Sequence, residues 1–385
     1  MRAVCVILLI GMAVCALAPT ASDAAKAKEK VLYAFGTGSD GHEPVGDLIA
    51  AKGVLYGTTY NGGAHGGGAV FAVDPHTGAE TVLHSFGVGS DGQAPLAGLI
   101  DVKGTLYGTT YGGGTLGQGT VFAIDPSTGA EKVLYSFCSH AGCSDGRNPD
   151  GGLVSAKGTL YGTTILSDDF GTVFALDPAT GDEAVLHDFV GGSDGEWPMG
   201  NLIDVRGTLY GTTQGGANGS GTIYSLDPSS GTEKVLYAFC GQENCSDGGQ
   251  PYAGLLAIKG TLYGTTGYGG AYFAGAVFAV DAETGTETVL HSFGSGTDGQ
   301  IPMDRLSNIN RSLYGTTHAG GSYGYGTVFA LDLKTGAETE LHSFGDGADG
   351  QNPQAGVINV KGAFYGTTDS GGTYGEGTVF VLTKP

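Results

Sequence analysis

The chain has 385 residues, 17 of them basic and 38 acidic, for a formal net charge of −21. So acidic a balance works against polyanionic partners, because neutralising phosphates takes clustered lysine and arginine; nucleic acid and anionic membrane surfaces are not expected ligands. Glycine supplies 74 residues and proline 13, but the glycines recur at a fixed period and therefore mark turns rather than low complexity.

In chain order, Arg2 precedes an apolar run from Ala3 to Leu17 and then small residues through Ala25. That run is shorter than the roughly 20 apolar residues a bilayer span needs, so residues 1–25 read as a secretory signal peptide and the mature chain as secreted or periplasmic. No later segment is apolar enough to span a membrane, and the chain stops at Lys384-Pro385 without an anchor. Cys5 and Cys15 would leave with the signal. The remaining cysteines form two C-x4-C pairs, Cys138 with Cys143 and Cys240 with Cys245. In an exported protein, pairing within each short loop is the simplest connectivity, with a metal site as the alternative.

From residue 26 onward one unit dominates. The core L-Y-G-T-T begins at Leu55, Leu106, Leu160, Leu209, Leu262 and Leu313, and returns as F-Y-G-T-T at Phe364, with steps of 51, 54, 49, 53, 51 and 51 residues. Within the second unit, Gly98 to Val102 and Thr105 to Thr110 read as strands joined by Lys103-Gly104, a two-residue hairpin signal. A glycine-rich bend leads to a third strand, Thr120 to Asp125. The turn Asp125-Pro126-Ser127-Thr128-Gly129 returns the chain as a fourth, Glu131 to Phe137. Four antiparallel strands per unit of about 50 residues, seven times over, are the signature of an all-β, seven-bladed β-propeller filling residues 26–385. Val31 to Phe35 matches a fourth strand and Gly377 to Leu382 a third, so the N-terminal strand is expected to complete the last blade and close the ring.

Y-G-T-T with a glycine doublet, G-T-V-F-A-L-D, D-P-x-T-G-x-E, V-L-H-S-F and a D-G-x-x-P loop between units together resemble the GloVer tandem repeat family of exported bacterial proteins. The resemblance runs from Val31 to Leu382. It implies a surface or secreted repeat protein, with no catalytic residue to carry over. Family members often bear a C-terminal anchor; none is expected here, since no anchor pattern is read before Pro385.

Residues repeated with the symmetry are better read as architecture than as chemistry. Each inter-blade loop holds an aspartate before glycine: Asp40, Asp91, Asp145, Asp194, Asp247, Asp298 and Asp349. Calcium is conceivable there, and Asp346 with Asp349 or Asp168 with Asp169 come nearest, but calcium wants six to eight converging oxygens, so Asx-type turns are expected and no cofactor or metal. His84, His187, His291 and His342 share a fourth-strand slot with Tyr33, Tyr135 and Tyr237. Lying on different blades, they cannot converge on one ion and read as packed or hydrogen-bonded. Gly191 to Gly195 fits G-x-S-x-G and Gly112 to Gly117 fits G-x-G-x-x-G, but neither opens a helix, so both are chance.

The residues that break the repeat are the candidates. Most first strands begin with Gly or Ala, whereas Asp47, Asn201, Asp304 and Arg305 depart and would present polar groups at the channel mouth. On the same face Trp197, Tyr252, Tyr268, Tyr323 and Tyr325, with Tyr272, Phe273 and Tyr374, supply aromatic surface suited to sugar stacking or to a protein. The reading is a non-enzymatic monomer binding a carbohydrate or protein through its loop-rich face. The alternative is a polysaccharide lyase or hydrolase working in the axial funnel through Asp47, Asp304 and Arg305.

Overall fold

The computed structural model describes residues 27–168 and 170–383, so the segment expected to be a signal peptide and Asp169 lie outside the described residues. Seven four-stranded antiparallel sheets follow one another around a ring. In the second blade the strands are Ile100–Val102, Thr105–Thr110, Thr120–Ile124 and Glu131–Ser136. The first strand is thus shorter than its apolar stretch, because Gly98 and Leu99 turn into the channel wall. In the last blade, Lys28–Ala34 pairs antiparallel with Thr378–Thr383, Lys28 opposite Thr383 and Ala34 opposite Thr378. The ring closes by the expected strand. Short two-residue ribbons, such as Gly41–His42 with Asn61–Gly62, tie four inter-blade loops to the loops after the second strands.

The core lies between blades rather than within them. One cluster joins Tyr56, Val70 and Phe86 of the first blade to Leu99, Leu106, Phe122 and Ile124 of the second. The phenylalanine that ends each outer strand meets an aromatic ring of the next blade at 5.0–5.2 Å between centroids, from Phe35 with Phe71 around to Phe344 with Phe380. Burial of such rings, repeated at every junction, is what makes stacking obligatory, since one blade alone leaves both faces wet.

The central motif now has a reason at each position. Its leucine or phenylalanine is buried in the inter-blade core. Its glycine lies beneath the third-strand aromatic ring: a Cβ on Gly57 would come within 2.5 Å of Phe71 Cζ. Its first threonine reaches the next blade in five copies, as Thr58 Oγ1 donates to the Ala97 carbonyl at 2.9 Å and Thr316 Oγ1 to Ala355 at 3.1 Å, while Thr163 and Thr367 Oγ1 have no partner among the described residues. Its second ties its own blade, as Thr59 Oγ1 donates to the Asn61 carbonyl and accepts from the Ala69 amide, both at 3.0 Å.

The hairpins between first and second strands put Lys52, Lys103, Lys157, Arg206, Lys259 and Lys361 at φ between +51° and +59°; the sixth hairpin instead sets Asn310 and Arg311 at +52° and +70°. A non-glycine residue in that region costs roughly 1–2 kcal/mol. All seven cations are exposed, on the end of the ring opposite the inter-blade loops.

Candidate functional site

Seven first strands converge on the axis, and space there decides the sequence. Counting inward from the inter-blade loops, three tiers wall a cavity of about 460 Å³. The outer tier is Val45, Leu96, Asp150, Met199, Tyr252, Met303 and Gln354. The next is glycine or alanine except at Asp304. The innermost is glycine except at Asp47, Asn201 and Arg305. Tyr111 and Ile165 complete the rim. A further cavity of about 570 Å³ continues the channel on the other side of Asp47, Asn201 and Arg305.

The four repeat-breaking polar residues therefore share one cavity, together with Tyr252, but they play different parts. Asn201 Oδ1 accepts from the Gly152 amide, and Asp47 Oδ1 accepts from the Gly356 amide at 3.0 Å. Each satisfies a neighbouring blade's backbone. Arg305 reaches back across the same ring, its Nε 3.9 Å from Asp47 Oδ2, with its side chain 44 % exposed. Asp304 departs from expectation: it is 3 % exposed rather than open to the mouth. Successive residues of an extended strand face opposite ways, so with Arg305 turned to the axis, Asp304 turns into the wall. There its Oδ2 accepts from the Thr316 amide at 2.9 Å. Burial, reinforced by the nearby Asp47 charge, holds its pKa well above the usual carboxylate range despite that hydrogen bond. Oδ1 has no partner among the described residues. Asp150, at the rim, is pushed up to about 6 by burial.

The other aromatic candidates do not join them. Trp197, 38 % exposed at φ +57°, stands against Phe170 with centroids 6.3 Å apart. Tyr268 packs on Phe273 at 6.2 Å. Tyr323 and Tyr325 lie against Gly345, Tyr272 against Gly294 and Tyr374 against Gly36. Each covers the outgoing loop of its own blade or of the neighbouring one, so these rings are dispersed around the face instead of forming one platform.

A second constellation, missed from the sequence, lies at the blade junctions. The loop aspartates do accept backbone amides, and each also meets the tyrosine or histidine of the fourth strand. Tyr33, Tyr135 and Tyr237 donate to Asp40, Asp145 and Asp247 at 2.7, 2.7 and 2.8 Å. His84, His187, His291 and His342 stand 3.1, 3.2, 3.0 and 2.8 Å from Asp91, Asp194, Asp298 and Asp349. A glutamate at or near the start of the next blade's outer strand completes every junction: Glu80, Glu131, Glu183, Glu233, Glu287, Glu338 and, on the closing strand, Glu29. Burial first, then the loop aspartate's charge, raises each of these glutamates to about 7. The signal was in the sequence as the glutamate of D-P-x-T-G-x-E. What was not legible is that blade twist carries it onto the preceding blade's loop.

Cys138–Cys143 and Cys240–Cys245 form the two expected disulfides, which fits an oxidising, exported setting. Among the described residues no helix is long and apolar enough to cross a membrane.

Among solved structures, an oligogalacturonate lyase in complex with manganese superposes with a TM-score of 0.59 at 13% identity, covering 94% of this chain and 95% of its own. An oligogalacturonate lyase from Vibrio parahaemolyticus gives 0.58 at 12%, with the same coverage. The extracellular domain of a protein described as a one-component system from B. thetaiotaomicron gives 0.58 at 15%, covering 90% of this chain and 41% of that one. At such identities the likeness is one of fold alone. No curated protein matches the chain. The sequence matches the Gloeobacter/Verrucomicrobia repeat over residues 21–168, 138–245 and 214–385; with its seven blades built on that unit, the chain belongs to the Gloeobacter/Verrucomicrobia repeat family.

Proposed function

We propose that the protein is an exported, non-enzymatic binding propeller that receives a carbohydrate or a protein loop in the axial mouth of its loop-rich face. The observation that carries this reading is convergence: Asp47, Asn201 and Arg305, three departures from a tier otherwise made of glycine, line one cavity under a mixed apolar rim that includes Tyr111 and Tyr252. Concave sites with a few oriented polar groups among apolar walls are where small ligands and chain ends bind. Arg305, exposed and only loosely paired, is the group free to meet a ligand oxygen.

The test uses the repeat's own residue. Arg305→Gly and Asn201→Gly restore the glycine of the other blades, so the fold is retained while the ligand groups go. On an array of neutral and acidic oligosaccharides, Arg305→Gly is expected to weaken binding about tenfold, roughly 1.4 kcal/mol, and Trp197→Ala to leave it unchanged. Equal binding by the wild type and both glycine variants would remove the mouth as the site.

One observation favours an enzyme instead. Asp304 is a carboxyl in the cavity wall whose pKa burial holds well above the usual carboxylate range, the direction of shift a general acid needs. Its burial and its hydrogen bond to the Thr316 amide support a structural role. Turnover of a polysaccharide that disappears in a folded Asp304→Asn variant would reverse the order of the two readings.

A further inference from the structure

Four of the seven blade junctions gather a histidine, an aspartate and a glutamate whose ligating atoms lie within 4.8 Å of one another: His84, Asp91 and Glu131; His187, Asp194 and Glu233; His291, Asp298 and Glu338; His342, Asp349 and Glu29. In each, the histidine and aspartate come from one blade and its outgoing loop, and the glutamate from the outer strand of the next. We propose that these junctions are sites for a divalent first-row transition ion, zinc foremost, held by the imidazole Nε2, one aspartate oxygen and one glutamate oxygen.

The chain supplies its own control. At the three tyrosine junctions the aspartate is saturated with donors. Asp145 accepts from the Tyr135 hydroxyl, the Ser139 amide and hydroxyl and the His140 amide. Asp247 accepts from the Tyr237 hydroxyl and the Gly241 and Gln242 amides. Asp40 accepts from Tyr33, Gly36 and Thr37. At the histidine junctions one carboxylate oxygen takes a single backbone amide, Gly92, Val190, Gly299 or Gly350 at 2.7–2.8 Å. The other oxygen faces only the imidazole. Opposite stands the glutamate; among the described residues Oε1 of Glu29, Glu131 and Glu233 is buried without a partner, as it also is in Glu80, Glu183 and Glu287 at the tyrosine junctions, so what sets the histidine junctions apart is the imidazole and the sparsely bonded aspartate.

Acceptor atoms that face one another across a shared space are stabilised by a cation between them. The ligand types then choose the ion. Imidazole with two carboxylates suits zinc and its neighbours, whereas calcium requires six to eight oxygens. The spacing is close: ligand atoms each about 2.1 Å from a tetrahedral zinc ion lie roughly 3.4 Å apart, so histidine and aspartate, in hydrogen-bond contact at 2.8–3.2 Å here, need part only slightly to admit it. The backbone amide on the far oxygen orients the aspartate as outer-shell partners do in metal sites. The histidine side chains are 17–21 % exposed, which leaves a path of entry. Because each site draws on two blades, the ion would staple neighbours, and the site containing Glu29 would fasten the closing strand to the blade before the last.

The experiment takes the protein after dialysis against a chelator and titrates it with zinc by calorimetry, with calcium in parallel. Four equivalents of zinc are expected, falling to three in His84→Tyr and to none in the fourfold His→Tyr variant; tyrosine is what the chain itself places in this slot at the other junctions. Zinc should raise the melting temperature of the wild type and not of the fourfold variant. Absence of saturable zinc binding, calcium binding in its place, or an unchanged zinc count in the fourfold variant would each overturn the assignment. Should the fourfold variant fail to fold, the single variants His84→Tyr and Glu131→Gln decide, since each must lose one equivalent.

Discussion

The tyrosine and histidine junctions occupy the same place in the repeat and solve the same problem by different means. Both must hold an aspartate at the point where the chain leaves one blade for the next. The tyrosine junctions do so by surrounding the carboxylate with donors, and two of the three add a disulfide in a loop lengthened by three residues, Phe137 to Asp145 against Phe86 to Asp91. Burial works to raise the Asp145 pKa, but the hydrogen bonds from Tyr135 and the loop amides outweigh it and hold that carboxyl below its usual range. The histidine junctions keep shorter loops, fewer donors and an imidazole. The difference teaches that the repeat fixes a geometry and leaves its chemistry open: one scaffold position closes a loop permanently in some blades and offers lone pairs in others.

The largest expected contrast comes from deleting the carboxylate on each side. Asp145→Ala strands the Tyr135 hydroxyl, the Ser139 amide and hydroxyl and the His140 amide and should cost about 3 kcal/mol, whereas Asp91→Ala frees one amide and the His84 imidazole and should cost about 1 kcal/mol; urea unfolding of the two variants gives both values, and equal costs would erase the distinction. Next in size is the disulfide. Replacing Cys138 and Cys143 together by serine should cost about 2 kcal/mol through a freer unfolded chain, and the same unfolding curves report it. Smallest per site is the glutamate at every junction. Its folded pKa of about 7 lies above the ordinary 4.5, so it favours the folded state fully below pH 4.5, and that contribution is lost as pH rises through 7. Melting temperatures taken from pH 5 to pH 8 should therefore fall, and Glu183→Gln, at a tyrosine junction, should flatten the slope.

Much of the fold could be read from period and turn chemistry. Lys103-Gly104 and Asp125 to Gly129 mark where strands end, and Val31 to Phe35 announces itself as a fourth strand without a blade, so closure follows from bookkeeping along the chain. The site was only half legible. Asp47, Asn201 and Arg305 stand out because they interrupt a glycine tier, yet their neighbour Asp304 breaks the pattern equally and is buried, because adjacent strand residues face opposite ways. Trp197 and the tyrosines look alike in sequence, and only the course of the loops shows that they cover separate blades. The glutamates of the junctions stayed hidden for the same reason: the contact that defines them crosses between blades, about 50 residues apart, or, for Glu29 and His342, across almost the whole chain.

The pairing of Lys28 with Thr383 sets the order of events when the protein is made. The Thr383 hydroxyl reaches the Lys28 carbonyl across 355 positions, and loop closure over such a span must be settled before its contacts reward it. A chain synthesised from its N-terminus keeps that ribbon waiting until the last strand, Thr378–Thr383, is made. Until then two unpaired edges stand open to proteases and to other copies. Maturation thus ends with the oldest segment, and an interrupted molecule exposes its own incompleteness.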